Sequence, residues 1–66
     1  MQLKINGKIQ ELGDYCSLEL MVVDKGFDPK SIVIEHNAEI IPLEKWPEIV
    51  LKHNDIIEIV SFVGGG

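Results

Sequence analysis

With 66 residues, 45% of them hydrophobic and 26% charged, the chain has globular proportions and room for one domain. A domain this short buries only about 60% of the surface its unfolded chain exposes, which leaves little interior for a deep active-site pocket. Eleven acidic residues against six lysines, with no arginine, give a net charge of -5. That balance opposes nucleic acid, whose phosphates require a basic stripe, and suits either simple solubility or steering toward a basic partner surface.

Met1 to Ile5 alternates with Leu3 and Ile5 on one face, and Asn6-Gly7 supplies the left-handed pair of a type I′ turn before a second strand from Lys8 to Leu12. Ser17 is placed to cap a helix of two to three turns, with Glu19 in its first turn and Leu18, Met21 and Val22 on one face. Gly26 and Pro29 stop it. Ile32-Val33-Ile34 begins a buried strand over Ser31 to His36, and Asn37-Ala38-Glu39 turns it into a short strand at Ile40 and Ile41 that Pro42 ends. After an irregular stretch from Leu43 to Asn54, Asp55 to Val63 forms the longest strand, apolar enough to be central and buried on both faces.

Two strands, a helix, two strands and a last strand define an α+β β-grasp, a mixed sheet of four to five strands wrapped around one helix. One sheet face stays partly open. The body spans 1–63, and Gly64-Gly65-Gly66 forms a flexible functional tail. No apolar run approaches the roughly 20 residues of a membrane span, and the chain starts in a strand pattern rather than a signal sequence, so a cytoplasmic protein is expected.

No catalytic constellation emerges. His36 in a strand and His53 in a polar loop are isolated, and structural or solvated roles are expected of both. Cys16 is the only cysteine, which excludes an intrachain disulfide; it lies just before the helix, where a thiolate is favoured, although packing is the usual role of a lone cysteine. The acidic residues are spread rather than paired, giving no metal site or acid-base dyad. The terminal glycines do not follow phosphate-loop spacing and precede no helix. Lacking side chains, they can enter a channel too narrow for a Cβ and leave the terminal carbonyl open to attack, or they are a frayed end.

Asn37-Ala38-Glu39-Ile40-Ile41-Pro42 followed by Trp46, and Leu51 with Asp55 through Val60 leading into Val63-Gly64-Gly65-Gly66, resemble the ThiS sulfur carriers of thiamin biosynthesis over nearly the whole chain. These are ubiquitin-like proteins ending in Gly-Gly. Leu43 stands where that family often has a basic residue, and Asn54-Asp55 replaces its usual Gly-Asp. The Asn54 turn should survive, because Asn tolerates positive φ, and Trp46 is expected to pack rather than stack on a ligand.

The resemblance implies a carrier acted on by enzymes rather than an enzyme. A ubiquitin-activating-type adenylyltransferase would use ATP and Mg²⁺, neither held by this chain, to adenylate Gly66. Sulfur from a cysteine desulfurase or another donor would convert the adenylate to a thiocarboxylate, and thiazole synthase would receive it. Gly64 and Gly65 would form the stem entering the partner's active site, with Phe62 or Val63 near the contact. The small subunit of molybdopterin synthase, a protein modifier and a β-grasp interaction module are the alternatives.

Overall fold

The computed structural model describes residues 1–14 and 17–62. Strands β1 (Gln2–Ile5) and β2 (Lys8–Glu11), helix α1 (Leu18–Asp24), β3 (Ile32–His36), β4 (Glu39–Ile40) and β5 (Ile56–Ser61) follow in that order. They form a five-stranded sheet in the order β2-β1-β5-β3-β4, with β1 and β5 parallel and the other neighbours antiparallel. This is the β-grasp expected from the element order. Two 3₁₀ segments, Pro29–Ser31 and Leu43–Glu48, occupy the connections, so the stretch expected to be irregular contains about two 3₁₀ turns around Trp46.

The turns obey the local chemistry of their residues. Asn6 and Gly7 have φ of 50° and 81°, as a type I′ hairpin demands. Ser17 caps α1, its Oγ accepting from the Leu20 amide at 3.2 Å. At the other end Gly26, with φ of 84°, lets its own amide reach the Val23 carbonyl and that of Phe27 reach the Val22 carbonyl. That pair of bonds satisfies helix carbonyls that would otherwise be orphaned.

Leu18, Met21 and Val22 of α1 are fully buried against Leu3, Ile5, Ile34, Ile57 and Ile59 of the sheet, as the helical spacing predicts. Trp46 closes one side of this core, donating from its indole N–H to the Ile41 carbonyl at 2.9 Å. Its role is packing, and the bond satisfies the polar end of a buried ring. Ile41 points into the core just past β4, which lies one residue earlier than the sequence pattern suggests.

One expectation is corrected. β5 is central, lying between β1 and β3, but it is not buried on both faces: Ile57 and Ile59 face the core while Ile56 and Val60 face outward. A single seven-residue helix can cover only one side of the sheet, so an apolar strand content did not imply a second covering layer. The strand also ends at Ser61; Val63 lies outside the described residues.

Candidate docking face and polar brace

The outward face of the sheet carries Ile9 from β2, Lys4 from β1, Ile56, Glu58 and Val60 from β5, Val33 and Glu35 from β3, and Ile40 from β4. Cross-strand register sets Val33 opposite Val60 and Glu35 opposite Glu58. Phe62, 49% exposed, follows β5, and its amide donates to the Ser31 carbonyl at 2.9 Å. An open cleft of about 390 Å³ beside it is lined by Val33, Ile40, Leu43 and Phe62 among others. An exposed apolar sheet face of this kind, with a few charged residues set among the apolar ones, is the type of patch that marks a protein contact surface.

At the opposite end of β5 a cluster of polar groups meets. His36 Nε2 lies 2.8 Å from Asp55 Oδ2, Asn37 Nδ2 donates to Asp55 Oδ1 at 3.1 Å, and the Lys52 amide donates to Asp55 Oδ2 at 2.9 Å. Burial pushes the Asp55 carboxyl up, but the hydrogen bonds from His36, Lys52 and Asn37 together outweigh it and hold the carboxyl below its ordinary value. The partners are an imidazole, an amide and a backbone N–H, with no hydroxyl or thiol among them for the imidazole to activate. The arrangement braces the start of β5, and it accounts for His36 structurally.

His53 has a comparable part: its Nδ1 accepts from the Gln2 amide at 3.0 Å, while the Asn54 amide donates to the Gln2 carbonyl at 2.6 Å. Asn54 adopts φ of 74°, so the Asn-Asp turn keeps the left-handed geometry expected of it. In the sequence His36 and His53 stand isolated because their partners, Asp55 and Gln2, lie 19 and 51 residues away. The polar residues flanking the last strand were the available signal, since a strand that starts in the sheet centre needs its first amides and carbonyls satisfied.

Among the described residues no group of three or more His, Asp, Glu or Cys could hold a metal ion, and no helix is long and apolar enough to cross a membrane. Cys16 and the tail residues Gly64, Gly65 and Gly66 lie outside the described residues, as does the boundary proposed between body and tail. Of the two expected contact residues, Phe62 is placed at the end of the open face.

Fold and face together define a ubiquitin-like β-grasp domain with one open sheet face. The ThiS family profile matches residues 2–66. The chain is 37% identical over 65 residues to the sulfur carrier protein ThiS of Bacillus subtilis, covering 97% of this chain and 98% of that protein. It also superposes on the crystal structure of the thiamine biosynthesis protein ThiS from Geobacter metallireducens with a TM-score of 0.77, at 30% identity and with full coverage of both chains. A thiazole synthase of Paramagnetospirillum magneticum is 32% identical over all 66 residues, which span 20% of its length. The chain belongs to the ThiS family, the small sulfur carriers of thiamin biosynthesis.

Proposed function

We propose that this chain carries sulfur on the carboxyl group of Gly66 and takes no part in catalysis beyond presenting that group. The observation that carries the reading is the family match running through residue 66, in a body whose exposed sheet face ends at Phe62, four residues before the carboxylate. Four residues span at most about 14 Å. A partner that docks on the face must therefore have its reacting centre close to the contact.

The chemistry follows from the carboxylate. One of its oxygens attacks the α-phosphorus of ATP on an adenylyltransferase, pyrophosphate leaves, and the acyl carbon becomes electrophilic. A sulfur nucleophile, derived from cysteine by a desulfurase or supplied by another donor, then displaces AMP. Where that nucleophile is a donor's persulfide, the acyl disulfide it forms is cleaved by a second thiol, which takes the donor's sulfur into a new disulfide and leaves a C-terminal thiocarboxylate, a softer and stronger nucleophile than the carboxylate. ATP and Mg²⁺ belong to the partner. Gly64 and Gly65 suit a narrow channel because neither carries a Cβ.

Docking uses the open face, with Val60, Val33 and Phe62 as the apolar centre. Glu35 and Glu58 sit side by side within it, and among the described residues neither enters an ion pair. Like charges directly opposite on neighbouring strands repel, so the face suits a partner that brings a basic group to them. The similarity to thiazole synthases, in which the matching stretch is a fifth of the protein, supports that synthase as the recipient of the sulfur.

ATP-pyrophosphate exchange with the cognate adenylyltransferase tests the reading. Deleting Gly66 should abolish exchange while leaving the thermal transition unchanged, since a terminal residue contributes little burial. Normal exchange by the deletion variant would overturn the assignment.

A further inference from the structure

The end of β5 is held on one side by a side chain rather than by a strand. The parallel pairing of β1 with β5 runs only to Ile5 opposite Ile57, because the chain turns away at Asn6 to form the first hairpin. The Asn6 amide still donates to the Ile57 carbonyl at 2.9 Å. The next inward amide of β5, that of Ile59, would then face a turn with no carbonyl in register. Instead it donates to Asn6 Oδ1 at 2.7 Å, in a partly buried bond that joins residues 53 positions apart.

Asn6 thus serves two needs. Its backbone takes the positive φ of the type I′ turn, which Asn or Gly can supply, and its side-chain carbonyl stands in for the missing strand acceptor, which Gly cannot. On the other edge, β3 holds the same stretch through pairing as far as Ile32 opposite Ser61 and through the Phe62 amide on the Ser31 carbonyl. The two grips hold the last strand as far as Ile59 on one edge and Phe62 on the other.

We infer that Asn6 is a positioning residue for delivery of the Gly66 carboxylate: it registers the tail-bearing end of β5 against the docked body, acting through Ile59 and never touching the reacting atoms. This rests on the carrier reading above. Because Asn6 does not lie among the apolar residues of the open face, its loss should disturb presentation of the carboxylate and not docking.

Two variants separate these roles. Asn6→Gly keeps the turn but deletes the acceptor, and Asn6→Asp keeps both. In Asn6→Gly the Ile59 amide should exchange with solvent faster by about two- to tenfold, the span a single net hydrogen bond represents. In steady-state adenylation, kcat should fall by a similar factor with KM for the carrier unchanged, and Asn6→Asp should restore both readouts. Unaltered exchange at Ile59 would overturn the bond, and faster exchange with an unaltered kcat would overturn its role in delivery. A rise in KM, or no rescue by Asp, would assign the effect to docking or general loosening and so also overturn it. A wild-type chain that is not adenylated at all would instead sink the carrier reading, and the delivery role with it, whatever Ile59 shows.

Discussion

On β5 the residues Ile57 and Ile59 are 0% and 8% exposed, whereas Ile56 and Val60 beside them are 45% and 57% exposed. All four are β-branched and equally suited to a strand, so composition does not separate them. The difference comes from what lies above each face: α1 and the Trp46 segment cover one, and among the described residues nothing covers the other. The inner face therefore holds the fold, and the outer face is free to be used by a partner. Substitutions on the two faces should have different readouts.

The largest effect is expected on the inner face. Met21 is fully buried, and truncation to Ala should cost about 2 to 5 kcal/mol, lost contacts and a cavity acting together. A domain of this size has about 3 to 5 kcal/mol to lose. Chemical denaturation measures this directly; a loss below about 0.5 kcal/mol would place Met21 at the surface.

A smaller loss is expected at the polar end of the same face, where His36 and Asp55 continue the inward positions of β3 and β5. Asp55→Asn should cost about 1 to 3 kcal/mol near neutrality, because it weakens charge-assisted bonds to a buried group. The Asp55 carboxyl ionises below its ordinary value of 3.8 in the folded state. The unfolded chain therefore binds that proton more readily, and the stability due to its ionisation is present above pH about 4 and lost as pH falls through the folded value. The gap in urea midpoint between wild type and Asp55→Asn should shrink from pH 6 to pH 3. A gap that stays constant would show that the carboxylate is not held by these bonds.

Much of the inner face was legible in the sequence because it depends on local periodicity. Leu3 and Ile5, then Leu18, Met21 and Val22, follow strand and helix spacing, and Asn6-Gly7 announces its own turn. An open sheet face was legible from the single helix, but the outward position of Ile56 and Val60 on it was not, since an apolar run does not show which of its residues the one layer covers. The Asn37-Ala38 turn was read correctly as a turn, but Ala38 adopts φ of 72°, a conformation its Cβ disfavours. Asn37 helps hold it there, its Oδ1 accepting from the Ile56 amide at 2.8 Å. Like Asn6 at Ile59, this bond joins residues far apart in sequence, and no local pattern reveals either.

The smallest effect on stability is expected on the outer face, and its sign is opposite. Glu58 is half-buried beside Glu35, without an ion-pair partner among the described residues. Glu58→Gln removes the repulsion and should stabilise the isolated domain by about 0.2 to 1 kcal/mol. The same change should weaken binding to the adenylyltransferase and flatten its dependence on ionic strength, because a basic group on the partner loses one of the charges it meets. Val60→Ser, one row along the same strand, supplies the control: it should weaken binding with no change in salt dependence, since only apolar contact is lost. Titration calorimetry at two salt concentrations, beside urea denaturation of the free domain, reads all these quantities. If Val60→Ser weakens binding and Glu58→Gln does not, the face docks through its apolar centre alone and the two carboxylates serve solubility. If neither does, partners meet this domain elsewhere, and the contrast between the two faces reduces to one between a core and plain surface.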